Sequence, residues 1–122
     1  MKKQEGKMKK SITAFAFMMM TSALFAGATD GPQSANTSVK ANGTDRFEVS
    51  FAGGEMAQVT VNGDGDTDLD LYIYDANGNL VAKDEGDTDR CSCRWYPRWD
   101  GKYTIKVVNR GNVYNVYSIR TN

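Results

Sequence analysis

Apolar and polar residues alternate along most of the chain from residue 45 onward. Successive side chains of a strand point to opposite faces, so this period of two indicates strands with one buried face. The apolar members of the alternating segments are Phe47/Val49/Phe51, Val59/Val61, Leu69/Leu71/Ile73, Cys91/Cys93/Trp95 and Tyr103/Ile105/Val107. Glycine-containing turn signals separate the segments, and Asn77-Gly78 predicts a tight hairpin. We predict an all-β fold, an antiparallel, jelly-roll-like β-sandwich of about seven to eight strands.

The first 28 residues have the composition of a secretory signal peptide. Five lysines lie within the first ten residues, an apolar segment runs from Ile12 to Phe25, and Ala26-Gly27-Ala28 supplies a small-residue cleavage site. The apolar segment is shorter than the roughly 20 residues that a membrane-spanning helix needs. The sequence therefore predicts a secreted or periplasmic bacterial protein with no membrane partner once residues 1–28 are removed. Cleavage after Ala28 is expected, with cleavage after Ala26 as the alternative.

The remaining chain divides into a short leader and one domain. Residues 29–44 contain almost no apolar side chains, which predicts a flexible polar leader before a β-sandwich domain at residues 45–122. Charge is segregated within that domain, because residues 64–89 carry nine acidic side chains and one lysine, whereas residues 90–122 carry seven basic side chains and one acidic. Without the lysine-rich leader the chain is acidic overall, which argues against nucleic acid as a partner.

The acidic stretch DGDTDLDLYIYD combines a loop with the start of a strand. Asp64 and Asp66 stand beside glycines in the loop, whereas Asp68 and Asp70 alternate with apolar residues. Closely spaced carboxylates are ligands for Ca²⁺, so one interpretation is a calcium site formed by Asp64, Asp66, Asp68 and Asp70. A second acidic group at residues 84–89 would join it if both loops lie at one end of the sandwich. The other interpretation is that these acids form turns and bond to loop amides or to basic residues of segment 90–110.

Four aromatic residues form a second candidate surface. Tyr72 and Tyr74 point away from the apolar face of their predicted strand, and Tyr96 and Trp99 flank Pro97 in a predicted loop. Exposed aromatic rings on a rigid sheet can stack on sugar rings or hold an extended peptide. The alternative is that these rings pack across strands or cover sheet edges.

The sequence does not favour catalysis. Histidine is absent, which removes the commonest general base and the usual partner of a serine or cysteine nucleophile. Cys91 and Cys93 are separated by one residue, which on a strand places their Cα atoms about 7 Å apart, at the limit for a disulfide. We interpret them as two small buried thiols and the protein as non-enzymatic.

The segments GDGDTDLDLYIYDANGNLVAKD, WYPRWDGKYTIKVVN and NVYNVYSIRTN together resemble the bacterial pre-peptidase C-terminal domain family. The resemblance covers residues 45–122 and implies a jelly-roll β-sandwich related to collagen-binding modules. Members usually accompany exported peptidases and other exported enzymes. No catalytic domain precedes the module in this sequence, and the Cys91-Ser-Cys93 pair is not part of the family pattern.

Two functional hypotheses follow from the residues and the resemblance. The first is a secreted, stand-alone, non-catalytic binding or adhesion module for extracellular protein or polysaccharide, with calcium as a stabilising ion. The second is an accessory or chaperone-like partner of a separately encoded exported peptidase or hydrolase. Saturable retention on an insoluble polysaccharide or on collagen would favour the first hypothesis, and a neighbouring gene for an exported peptidase would favour the second.

Overall fold

A computed structural model of the protein describes residues 27–122, and the predicted signal peptide therefore lies almost wholly outside the described residues. This part of the chain forms eight strands: β1 (Ser34–Val39), β2 (Thr44–Phe51), β3 (Ala57–Asn62), β4 (Leu69–Tyr74), β5 (Leu80–Asp84), β6 (Arg90–Trp95), β7 (Gly101–Asn109) and β8 (Asn115–Thr121). Between residues 27 and 122 there is no helix long and apolar enough to cross a membrane.

The strands form two four-stranded antiparallel sheets, in the orders β1-β8-β3-β6 and β2-β7-β4-β5. Every connection crosses from one sheet to the other except the β4–β5 hairpin, whose turn contains Gly78 at a φ of 85°. This is the strand order of a jelly roll, and the predicted fold class is confirmed.

The core lies between the two sheets and consists of the side chains that the alternation predicts to face inward. All of the apolar residues named in the alternating segments are buried, and Leu69, Leu71 and Ile73 are fully inaccessible. Near one end of the core the ring of Phe51 packs edge-on against Trp95, with centroids 4.9 Å apart, and against Tyr103 at 5.9 Å. Cys91 and Cys93 belong to this core as free, buried thiols, and burial raises the pKa of each to about 12. A thiol in that state is inert as a nucleophile.

The structure of residues 29–44 differs from the flexible leader that the sequence predicts. Ser34–Val39 forms β1, which pairs with β8 in register from Ser34 opposite Arg120 to Val39 opposite Asn115. Backbone hydrogen bonds rather than apolar content hold this edge strand, and only Val39 is fully buried, with Ala35 packed against the core. Hydrophobic pattern alone misses such a strand, because two of its three inward positions, Ala35 and Thr37, are small or polar.

Residues just before β1 also belong to the folded domain. Ala28 is 4% exposed, forms an isolated bridge with Phe51, and donates its amide to the carbonyl of Asn122 at 2.9 Å. The carbonyl of Gly27 accepts the amide of Ala52 at 2.9 Å. This segment therefore connects the end of β2 with the end of the chain.

Strand register places the loops at two ends of the sandwich. Leu69 pairs with Asn109 and Tyr74 with Thr104, so the loops before β4 and after β7 share one end. That end, which we call the acidic end, is formed by loops 40–43, 63–68, 85–89 and 110–114. The opposite end, which we call the aromatic end, is formed by residues 27–33 and loops 52–56, 75–79 and 96–100.

Candidate functional site

The two acidic segments of the sequence do meet at the acidic end, as the sequence interpretation required for a joint site. The amide of Leu69 donates to the carbonyl of Thr88 at 3.2 Å, and the amide of Gly63 donates to the carbonyl of Asp89 at 2.9 Å. Loops 63–68 and 85–89 are therefore joined along their backbones, and their carboxylates lie in one region.

Asp64 holds its own loop in place. One carboxylate oxygen accepts the amide of Asp66 at 3.0 Å, and the other accepts the amide of Val116 at 2.9 Å. The first contact closes an Asx turn, and the second ties the loop to β8. Both oxygens of this predicted calcium ligand thus have backbone partners.

Asp89 and Asn115 form a buried polar pair beneath the same loop. Oδ2 of Asp89 accepts the amide of Gly65 and the side-chain amide of Asn115, the latter at 3.1 Å. Asn115 is fully buried, its Oδ1 accepts the amide of Asp64 at 3.1 Å, and its Nδ2 donates to Thr67 Oγ1 at 3.0 Å. A Cβ at Gly63 would overlap both side chains, so only glycine fits at that position.

Asp68 and Asp70 behave differently from Asp64. Asp70 is 5% exposed although it lies on the outer side of β4, because the side chain of Arg110 covers it and donates Nε to its Oδ2 at 2.8 Å. Among the described residues, Oδ1 of Asp68 and Oδ1 of Asp70 are buried without a hydrogen-bond partner. Burial, followed by the negative charges of Asp70 and Asp87, raises the pKa of Asp68 above its usual 3.8.

The four predicted ligands do not form one cation-binding group. Asp64 is occupied by backbone amides, Asp66 is exposed to solvent, and Asp70 is paired with a guanidinium group. Within residues 27–122 no group of three or more acidic or thiol side chains has metal-binding geometry. In this part of the chain the buried carboxylate oxygens without a hydrogen-bond partner are Oδ1 of Asp68 and Oδ1 of Asp70, and a calcium site stays a prediction.

Tyr72 and Tyr74 are half-buried on the outer face of the β2-β7-β4-β5 sheet, with intramolecular partners. The hydroxyl of Tyr72 donates to Glu85 and accepts from Arg110 Nη2 at 2.9 Å. Burial and the bond to Glu85 raise the pKa of Tyr72 to about 12. Lys106 Nζ lies 4.7 Å from the ring centroid of Tyr74. These two rings match the alternative interpretation, in which they pack within the sheet.

Tyr96 and Trp99 are placed in a different way. They lie in the β6–β7 loop at the aromatic end, where Tyr96 is 73% exposed and Trp99 is 70% exposed. Among the described residues these are the most exposed large hydrophobic side chains. The structure therefore separates the four predicted aromatic residues into two covered rings on a sheet face and two open rings on a loop.

Hydrogen bonds donated by two amides of the β2–β3 loop hold the β6–β7 loop against it. The amide of Gly54 donates to the carbonyl of Pro97 at 2.7 Å, and the amide of Gly53 donates to Asp100 Oδ1 at 2.8 Å. A Cβ at Gly53 would overlap the backbone of Trp99, so the glycine permits the close approach of the two loops. Tyr96 and Trp99 thus project from a fixed backbone while their rings stay open to solvent.

Sequence reasoning missed a second exposed apolar group and two structural asparagines. Val113, Tyr114 and Val116 are 48%, 61% and 46% exposed at the acidic end. Asn109 is 1% exposed, and its Nδ2 donates to the carbonyl of Val113 at 2.8 Å. The alternation of β8 could have identified Val116 as an outward apolar residue, but no local signal distinguishes a buried asparagine from an exposed one.

No family model matches the chain, and no curated protein matches it by sequence. Solved structures share its fold. The pre-peptidase C-terminal domain of a Bacillus anthracis collagenase superposes with a TM-score of 0.57 at 16% identity, over 73% of this chain and 87% of that one. The predicted resemblance to the pre-peptidase C-terminal domain is confirmed at the level of fold.

Two other structures share the same architecture. A periplasmic inhibitor of g-type lysozyme from Aeromonas hydrophila has a TM-score of 0.56 at 14% identity, over 86% of this chain and 93% of the inhibitor. A Yersinia pseudotuberculosis-derived mitogen has a TM-score of 0.50 at 10% identity, over 75% and 85% of the two chains. At these identities the comparisons define the fold, and the individual residues must identify the site.

Proposed function

We propose that the protein is an exported, non-catalytic binding module that contacts an extracellular polysaccharide or protein through Tyr96 and Trp99 of the β6–β7 loop. The observation that carries the proposal is their exposure, 73% and 70%, on a loop held by the contacts of Gly53 and Gly54. Rigid aromatic side chains lose little conformational entropy on binding and supply much of the energy at interfaces. Tyr72 and Tyr74 have intramolecular partners on the outer face of the β2-β7-β4-β5 sheet and are not part of the proposed site.

Retention on insoluble polysaccharides and on extracellular matrix proteins tests this proposal. Trp99→Ala combined with Tyr96→Ala should abolish retention while leaving the melting temperature nearly unchanged, because both rings are open to solvent. Tyr114→Ala is the matched control, since this tyrosine is 61% exposed at the opposite end and its loss should leave retention intact. Equal retention of the double variant and the parent protein would contradict the proposal.

The second candidate is an accessory protein for a separately encoded exported peptidase or hydrolase. The acidic end supports it, because Val113, Tyr114 and Val116 form an exposed apolar group beside the carboxylates of Asp64 and Asp66. Such a group suits a partner with a basic rim around an apolar centre. The structural neighbour that inhibits a lysozyme supports a protein partner of this kind. Here Tyr114→Ala, and not Trp99→Ala, should abolish copurification with the enzyme.

We further propose that calcium stabilises the fold through Asp68 and Asp70, whose unpartnered oxygens are suitable ligands for a hard cation. Melting curves in millimolar calcium and in chelator test this, because an ion that binds the folded state raises its stability. Asp68→Asn should remove the difference between the two curves. Asp66→Asn, at an exposed neighbouring position, should keep it. Identical curves for the parent protein would decide against the ion.

A further inference from the structure

The outer face of the β1-β8-β3-β6 sheet has an unusual composition. Of its twelve outward strand positions, eight carry hydroxyl or amide side chains, three carry arginine and one carries valine. No carboxylate projects from these positions, although the described chain is rich in acidic residues elsewhere. This face, which we call the arginine face, is therefore hydrophilic, and the charged side chains at its outward strand positions are all arginines.

Strand register fixes how the three arginines are arranged. Arg90 and Arg94 lie two residues to either side of Ser92 on β6. Thr60 of β3 pairs with Ser92 on one side and with Arg120 of β8 on the other, so Arg120 lies level with Ser92, two strands away. Strand geometry then separates the Cα atoms of Arg90 and Arg94 by about 13 Å and places Arg120 about 10 Å from Ser92. The surface between the three arginines consists of hydroxyl and amide groups. Among these, Gln58 Nε2 donates to Ser92 Oγ at 3.4 Å.

The guanidinium groups of this face are free to take a ligand. Arg110, in the loop after β7, is paired with Asp70, whereas within residues 27–122 the side chains of Arg90, Arg94 and Arg120 form no hydrogen bond or ion pair. Asp84 of β5 reaches the edge of the arginine face, but its Oδ2 accepts the backbone amide of Ser92 at 2.9 Å. Three unpaired positive charges on one face attract an anion and discriminate against a cationic one.

We infer that the arginine face binds an anionic polysaccharide whose charges are carboxylates. A guanidinium fork matches a carboxylate with two parallel hydrogen bonds, and serine, threonine, asparagine and glutamine side chains exchange hydrogen bonds with sugar hydroxyls. Widely spaced arginines suit a polymer with isolated charges along its length. The inference rests on the proposed function, because it names the class of ligand that the module binds.

Other macromolecules fit this face less well. The centre of a protein interface is typically aromatic and apolar and is depleted in serine, whereas hydroxyl and amide groups occupy the centre here. Binding of single-stranded nucleic acid relies on aromatic rings that stack successive bases along the strand, whereas none of the twelve outward positions is aromatic and Tyr96 lies beyond one end of them.

The arginine face is continuous with the loop of the proposed function. The alternation of β6 extends beyond the strand, so Tyr96 follows Arg94 on the outward side while Trp95 and Pro97 are buried. A polysaccharide that stacks on Tyr96 at the aromatic end can therefore continue over Arg94 towards Arg90 and Arg120.

Calorimetric titration with polygalacturonate, dextran sulfate, uncharged dextran and a single-stranded oligonucleotide tests the inference at fixed ionic strength. The triple variant Arg90→Gln, Arg94→Gln, Arg120→Gln should lower the affinity for polygalacturonate at least about tenfold, because each charged hydrogen bond contributes on that scale. The control triple Arg46→Gln, Lys102→Gln, Lys106→Gln removes the same charge from the outer face of the other sheet and should have little effect. Replacing the three arginines with lysine should restore the affinity only in part, since lysine lacks the fork.

Several outcomes would overturn the inference. Equal losses in the two triple variants would indicate attraction by net charge alone, and tighter binding of dextran sulfate, dextran or a single-stranded oligonucleotide would exclude a carboxylate polymer as the ligand. If the Tyr96/Trp99 double variant loses binding to a polymer that the arginine variant retains, the inference fails while the proposed function survives. If only the arginine variant loses binding, the inference survives and the role of the loop fails.

Discussion

The two ends of the sandwich differ in what their most conspicuous side chains do. At the acidic end, polar side chains hold the loops: Asp64 bonds two backbone amides, and Asn115 bonds Asp64, Thr67 and Asp89. At the aromatic end, the amides of Gly53 and Gly54 bond Asp100 and Pro97 and so hold the loop that carries Tyr96 and Trp99, whose rings take no part and remain open. Side chains that hold a loop are not available to a ligand, whereas side chains that a loop carries without depending on them are.

This difference between the two ends is the opposite of what the composition of the chain suggests. The acidic stretch is the most conspicuous feature of the sequence, yet most of its carboxylates have intramolecular partners. Only Asp68 and Asp70 keep buried oxygens without partners in the described part of the chain. We therefore expect substitutions at the acidic end to change mainly stability and substitutions at the aromatic end to change mainly binding.

The largest expected effect is at Asn115. Asn115→Ala removes four hydrogen bonds and leaves the buried carboxylate of Asp89 with fewer donors. We expect a loss of about 2–4 kcal/mol in the free energy of unfolding, measured by urea titration. Asn112→Ala, at an exposed position in the preceding loop, should stay within about 0.5 kcal/mol. A loss below about 1 kcal/mol at Asn115 would mean that side chains do not hold the acidic end.

The next effect concerns the backbone contacts of the aromatic end. A chain that begins at Thr29 lacks the bonds of Gly27 to Ala52 and of Ala28 to Asn122. Compared with a chain that begins at Gly27, it should lose about 2 kcal/mol in the free energy of unfolding. The same comparison bears on export, because cleavage after Ala26 would preserve these contacts and cleavage after Ala28 would remove them. Equal urea midpoints would show that residues 27 and 28 contribute nothing.

A smaller and pH-dependent effect is expected at Asp68. The pKa of Asp68 in the folded protein is raised above 3.8, so its protonated form favours folding. That contribution is complete below pH 3.8 and is lost as the pH rises through the raised pKa. Asp68→Asn imitates the protonated form, and in chelator it should raise the melting temperature at pH 7 but not in acid. A gain that is independent of pH would contradict the role of the charge.

Much of the fold could be predicted from the sequence because the strands that build the core alternate strictly. Leu69, Leu71 and Ile73 alternate with polar and aromatic residues, and all three are buried. β1 escaped prediction because pairing with β8, a partner distant in sequence, stabilises it and few apolar side chains mark it. A strand formed by long-range backbone pairing leaves little local signal.

The candidate site could be predicted only in part, for a similar reason. The sequence identifies Tyr96 and Trp99 as aromatic loop residues, but it cannot distinguish them from Tyr72, whose hydroxyl bonds to Glu85 and Arg110 only after β4, β5 and the loop after β7 assemble. The acids present the same difficulty, since Asp64 and Asp66 look equivalent in sequence and differ in their partners. Which side chains are free is a property of the tertiary structure.

The most direct measurement of the contrast between the two ends is a paired one, in which the melting temperature and the retention on a binding polysaccharide or matrix protein are recorded for the same variants. Trp99→Ala should keep the melting temperature and lose retention. Asn115→Ala should lower the melting temperature and, compared at equal folded fraction, keep retention. The opposite result, in which Trp99→Ala binds like the parent protein and folded Asn115→Ala does not bind, would contradict the assignment of binding to the aromatic end.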